Sequence, residues 1–120
     1  MSDPGPETPE LGAEDRKLVI LARSTRARTG AAEGAAVRDS DGRTYAAATV
    51  ALASLQVSAL GVCVAMAVAS GSSGLEAAVL LTGAGAVSDA DLAAVRDLGG
   101  DGVAVHVGDH RGVVQTTSET

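Results

Sequence analysis

VSALGVCVAMAVASG, residues 57–71, carries no charged side chain. Such a segment is covered by lipid, by a protein core or by a partner. Gly71 to Gly74 close it as a helix ends, so it reads as a helix over 57–70, apolar all round and covered on more than one side. The uncharged run extends from Thr44 to Leu75, long enough for a membrane span. It is rich in Ala, Ser and Gly rather than Leu, however, and its strongly apolar helical part is too short to cross a bilayer. The segment is therefore read as a core helix of a globular domain.

The flanking sequence supplies a sheet for that helix. Downstream, EAAVLLT (76–82) reads as a buried strand. Ser88 is a good N-cap for a helix over 89–98, with Asp89 and Asp91 in its first turn and Gly99-Gly100 at its end. VAVHV (103–107) and VVQT (113–116) then flank the turn GDHRG. Upstream, Asp41-Gly42 lies between two apolar runs, a hairpin signal joining strands at about 34–38 and 43–50. AEDRKLVILARSTRAR (13–28) places Leu18, Leu21, Ala22 and Thr25 at helical spacing, with acidic residues first and arginines last, as the helix dipole prefers. Helices separated by single strands imply crossover connections and a layered α/β sheet.

The chain has 120 residues, which suits one domain. Residues 1–12 read as a disordered acidic tail, 13–117 as the domain and 118–120 as a flexible end. One Tyr and no Phe or Trp leave the core to Ala, Val and Leu. Small side chains bury less apolar area each, so oligomer contacts are expected to add stability. Net charge −6 and pI near 4.7 argue against a broad nucleic-acid surface. Arg16, Lys17, Arg23, Arg26 and Arg28 crowd one segment and read as a solvated helix face, with anion or RNA binding the rival reading. The single cysteine forms no internal disulfide. The start of the chain lacks the basic and apolar regions of a signal peptide, and a cytoplasmic protein is the expectation.

Three stretches share their pattern, order and spacing with one family. They are TGAAEGAAVRDSDGRTYAAATV (29–50), SALGVCVAMAVASG (58–71) and VSDADLAAVRDLGGDGVAVHV (87–107). Over about residues 15–116 the chain resembles the small zinc-dependent cytidine deaminases. The resemblance implies a three-layer α/β/α fold with a five-stranded mixed sheet, and homo-oligomers. In that family three cysteines, or a histidine and two cysteines, hold zinc. The metal yields hydroxide from water while a glutamate shuttles the proton. Aligned by pattern, Ser58 falls on the first zinc ligand, Leu60 on the catalytic glutamate, and Asp89 and Leu92 on the Cys-x-x-Cys pair. Leu neither ligates a metal nor carries a proton, and Ser and Asp are poor replacements for thiolates. Thr49 and Ala51 stand where the family's Asn and Glu bind ribose, and Ala31 where an aromatic residue stacks on the base. Ala31, Thr49, Ala51, Ser58 and Asp89 are thus the remnant of a ligand pocket, and the expectation is no zinc and no catalytic residue.

Other candidates have simpler explanations. Cys63 points about 140° around the helix from Ser58 and sits among apolar neighbours, as a core cysteine does. His106 and His110 with Asp109 form a conceivable metal group, but a strand His and a turn His account for them. Asp89, Asp91 and Asp97 read as helix capping and dipole residues before they read as an acid–base pair. No phosphate-binding glycine motif occurs. The sequence therefore points to a non-catalytic deaminase-like protein, a structural or regulatory interaction module or ligand binder that self-associates or takes a protein partner. The alternative is an enzyme of altered or partner-assisted chemistry on a nucleoside-like metabolite, using Asp89, Asp91, His106 or His110.

Overall fold

The computed structural model describes residues 10–120. Residues 1–9 of the expected tail lie outside the described residues. The chain order is α1 (Ala13–Thr29), β1 (Gly34–Asp39), β2 (Thr44–Ala48), β3 (Val50–Leu52), β4 (Leu55–Val57), α2 (Ala59–Ala69), β5 (Leu75–Leu81), α3 (Asp89–Gly99), β6 (Ala104–Gly108) and β7 (Val114–Glu119). Five strands form one mixed sheet in the order β2-β1-β5-β6-β7. Only β5 and β6 run parallel, and α3 makes the crossover between them.

Alternation along each strand sorts the core into two layers. Ala35, Val37, Ala78, Leu80 and Val105 face α2 and α3, where they meet Ala59, Leu60, Cys63, Ala67 and Val95. Ala36, Ala77, Val79 and Leu81 face α1, where they meet Leu18 and Ala22. The three-layer α/β/α arrangement follows. The missing aromatics are offset by close approach. A Cβ on Gly34 would collide with the Ala22 carbonyl and with the Arg26 Cβ, 2.7 Å away, so α1 seats on β1 only because that position is glycine.

The Asp41-Gly42 turn forms as expected, with Gly42 at φ +88°. Asp39 organises it. Its fully buried carboxylate accepts from the backbone N–H of Asp41 at 3.0 Å and Arg43 at 2.9 Å, and from the Ser72 hydroxyl at 2.5 Å. The hairpin is thereby tied to the end of α2. The Ser72 bond, together with the two backbone bonds, outweighs burial and holds the Asp39 carboxyl below its ordinary range.

Four features differ from the sequence reading. The strand expected over 43–50 stops at Ala48: the Thr49 N–H still donates to the Glu33 carbonyl, but the Glu33 N–H is taken by the Thr49 hydroxyl and not by its carbonyl. The connection that follows is a small two-stranded ribbon, β3–β4, whose two-residue turn carries no Gly, Asn or Asp signal. The C-terminal residues are part of the domain: β7 continues through Glu119, and the Thr120 hydroxyl donates to the Gly100 carbonyl at 2.6 Å and accepts from the Val103 N–H at 3.0 Å. Finally, α2 is covered within the chain on one broad side only. Ala59, Leu60, Cys63 and Ala67 are buried, while Ala65, Val68 and Ala69 are exposed. No helix among the described residues is long and apolar enough to cross a membrane.

A polar cluster pins α1 to the sheet. Asp15 accepts from Arg38 at 2.9 Å and from the Nε2 of His106 at 2.9 Å. Arg38 also donates to Glu76 at 2.8 Å, and the Nδ1 of His106 meets the Thr117 hydroxyl at 2.8 Å. Burial raises the Asp15 pKa, but the hydrogen bonds and charges of His106 and Arg38 together outweigh it, and the carboxyl titrates below its ordinary value. A depressed folded-state pKa stabilises the fold above the unfolded carboxyl pKa of about 3.9, and that gain is lost as the pH falls through the folded value. Asp15→Asn is therefore expected to lower the thermal midpoint by roughly 5 °C at pH 7, with the gap to the parent closing below about pH 4. Thermal melts of both proteins from pH 7 to pH 3 check it, and a gap that widens in acid contradicts it.

Candidate functional site

In layered α/β sheets, ligands gather at the carboxyl ends of the parallel strands. Here that end receives the loop before β1, the end of β2 and the starts of α2 and α3. Of the remnant-pocket positions, Ala31, Thr49, Ser58 and Asp89 lie on these segments, and Ala51 lies on the β3 strand that follows.

Both helix starts are capped by serine, as their sequences dictate. The Ser58 hydroxyl accepts from the Gly61 N–H at 3.0 Å, and the Ser88 hydroxyl accepts from the Asp91 N–H at 3.1 Å. Ser58 then donates to the Asp91 carboxylate at 2.7 Å. The two starts are thus joined through Asp91, which is only 9% exposed. Leu60 is fully buried in the core, and Leu92 is half-buried against the same cluster. Asp89 is exposed, in the first turn of α3. The structure therefore brings Ser58 to the first turn of α3, but through Asp91 and not through Asp89.

The other remnant positions are committed elsewhere. Both the hydroxyl and the N–H of Thr49 hold the Glu33 backbone. Ala51 is exposed on β3, and Ala31 is half-buried ahead of β1. Sequence reading missed the role of Glu33 and Thr82. The buried Thr82 hydroxyl donates to the Glu33 carboxylate at 2.6 Å and accepts from the Ala84 N–H at 3.0 Å, lashing the loop before β1 to the end of β5. The available signal was a hydroxyl residue following the apolar run at 77–81, directly before a glycine.

The histidines do not converge. His106 spends its ring nitrogens on Asp15 and Thr117 under α1. His110 donates to the Ala32 carbonyl at 3.0 Å, which fixes that ring nitrogen as protonated. The Asp109 carboxylate closes its own turn, accepting from the N–H groups of Arg111 and Val113. Among the described residues, no group of three or more His, Cys, Asp or Glu side chains is arranged to hold a metal. On α1, Lys17 pairs with Glu14, Arg16, Arg23 and Arg28 face solvent, and Arg26 is half-buried.

A family model described as cytidine deaminase-like matches residues 11–112. The chain belongs to the cytidine deaminase-like family. Solved structures agree with that fold. Cytidine deaminase from Mycobacterium leprae superimposes with a TM-score of 0.71 at 18% identity, over 90% of this chain and 94% of that one. Cytidine deaminase from Burkholderia pseudomallei gives 0.73 at 22% identity, over 85% and 89%. A mutant cytidine deaminase from Mycobacterium tuberculosis gives 0.66 at 21% identity, over 80% and 85%. Comparison with curated protein sequences finds no match.

For this cytidine deaminase-like chain, the donor chemistry at the two helix starts does not fit the family's zinc. It consists of a hydroxyl engaged as both donor and acceptor, a buried carboxylate that accepts it, a solvent-facing carboxylate and two leucines. Zinc of this type takes thiolates or imidazoles. Cys63 offers no substitute ligand. It is completely buried in the α2 core, and burial pushes its thiol up to about 12. The folded protein is therefore expected to resist labelling by an aromatic disulfide reagent at pH 8, and to react at one thiol per chain once denatured. Fast labelling of the native chain would refute this placement.

Proposed function

We propose that this member of the cytidine deaminase-like family does not deaminate, and serves as a structural or regulatory interaction module or ligand binder without zinc. The observation that carries the proposal is the core position of Leu60. Where the family resemblance calls for a proton-carrying carboxylate, this chain has a hydrocarbon side chain with no solvent exposure. Hydrolytic deamination needs an activated water and a group that moves its proton. Leu60 supplies neither, and the Ser58 hydroxyl is already held by Gly61 and Asp91. Two surface pockets, of about 270 and 420 Å3, are lined by none of Ser58, Leu60, Asp91 and Leu92.

The expected result is no stoichiometric zinc by elemental mass spectrometry of protein purified without chelator. Incubation with cytidine or deoxycytidine is expected to leave the ultraviolet spectrum unchanged. One zinc per chain together with turnover overturns the proposal.

Self-association through α2 is part of the same reading. The outer strip of α2 is apolar, with Val68 55% exposed, and the 270 Å3 pocket beside it is lined by Val64, Val68, Ala94, Asp97 and Leu98. An uncharged helix face left open in the monomer is a docking surface for another apolar face. Light scattering is expected to give a mass of two or more chains, and Val68→Asp is expected to shift it to one chain without altering the circular dichroism. A monomeric parent protein rules this part out.

A further inference from the structure

We infer that the hydrogen bond from Ser58 to Asp91 ties α2 to α3 in place of a shared metal ion, so that the two helix starts hold their positions in a metal-free chain. The inference rests on the non-catalytic reading above and adds how the degenerate site keeps its shape.

The bond belongs to a continuous chain of donors and acceptors. The Gly61 N–H donates to the Ser58 hydroxyl at 3.0 Å, that hydroxyl donates to the Asp91 carboxylate at 2.7 Å, and the Asp91 N–H donates to the Ser88 hydroxyl at 3.1 Å. The N-caps of both helices are therefore linked through one residue. A carboxylate as buried as Asp91 requires compensation. The Ser58 hydroxyl provides a donor, and the positive ends of two helices provide a favourable field. In a zinc site at two helix starts, a cation is held by anionic ligands. Here one protein carboxylate answers the two helix ends directly, and no cation is needed for charge balance.

The side-chain types fit this role. Position 58 has to accept from one group and donate to another, which alanine and an ionised carboxylate do not do. Position 61 has to leave the hydroxyl room: a Cβ on Gly61 would stand 2.8 Å from the Ser58 Oγ and 3.3 Å from the Val57 Cγ1. Leu60 and Val95 are fully buried, and Leu92 packs in the same cluster, so apolar contacts of α2 and α3 accompany the polar tie.

The test uses the full chain, with zinc content measured first. Thermal melts and amide hydrogen exchange are compared for the parent, Ser58→Ala, Asp91→Ala, the double variant, Asp91→Asn and Ser58→Thr. Each alanine variant is expected to lower the midpoint by roughly 5–10 °C and to speed exchange at the Gly61 and Val62 amides about tenfold, with Val79 in β5 unaffected. The double variant is expected to fall no more than about 2 °C below the worse single variant, because the partners act as a unit. Asp91→Asn keeps the acceptor but loses the charge that faces the helix ends, so its midpoint is expected to lie between those of the parent and Asp91→Ala, whereas Ser58→Thr keeps the hydroxyl and is expected to stay within about 3 °C of the parent even where an alanine variant fails to fold. A chelator is expected to leave the parent midpoint unchanged. Additive losses in a zinc-free protein overturn this inference and leave the non-catalytic reading standing. Stoichiometric zinc whose removal lowers the midpoint overturns both.

Discussion

Gly34 has no side chain, and α1 lies where one would be. A Cβ there would meet the Ala22 carbonyl and the Arg26 Cβ, so helix and strand backbones approach more closely than ordinary side chains permit. The rest of the fold depends on that kind of contact. A chain with one Tyr and no Phe or Trp cannot fill the space between layers with large rings. It narrows the space instead, with Ala22, Ala36 and Ala77 in one layer of the core and Ala35, Ala59, Ala67 and Ala78 in the other. Small side chains also contribute less burial each, at about 25 cal/mol per Å2 of apolar surface. Polar ties between elements therefore matter more here than in an aromatic core.

Those ties are distributed with some regularity. The Asp39 carboxylate joins the β1–β2 turn to the end of α2, and the Asp15–Arg38–His106–Thr117 cluster joins α1 to the sheet. Glu33 and Thr82 join the entry of β1 to the exit of β5, and Ser58 with Asp91 joins the starts of α2 and α3. Each tie uses a buried or half-buried acid that meets a hydroxyl or a cation. Four of these acids (Glu33, Asp15, Asp39 and Asp91) act within the fold, so part of the chain's negative excess is structural and not simply a solvated surface.

For the candidate site, the consequence is a cytidine deaminase-like frame whose two helix starts are joined by hydrogen bonds among its own residues. Leu60 contributes to packing at the point where the resemblance would place proton transfer. Chemistry at the helix starts and stability of the helix starts are separate requirements. A metal can meet both at once, whereas a serine and an aspartate address the second.

Local patterns in the sequence were enough to determine the helices, the strands of the main sheet and the class of fold, but not the β3–β4 ribbon. Capping serines, the Asp-Gly turn, closing glycines and apolar runs act over a few residues, and they place both later helices and all five strands of the main sheet to within a few positions. Shared spacing pointed to the family, and residue type alone marked Leu60 and Leu92 as unable to ligate or to move a proton. What only the tertiary structure decided depends on contacts between distant segments. Asp91, which reads along the chain as a capping residue, becomes the partner of Ser58 because α3 returns beside α2. The Thr49 hydroxyl takes the Glu33 N–H that a longer strand would pair through its backbone, and Thr120 is anchored because β7 runs back along β6 to Gly100 and Val103. The uncharged segment at 57–71, which contains α2, shows the division most clearly. Its composition calls for cover on more than one side, while packing decides that one broad face is satisfied within the chain and that the strip bearing Val68 is left open. Side-chain chemistry is local, but which groups meet is a property of the assembled layers.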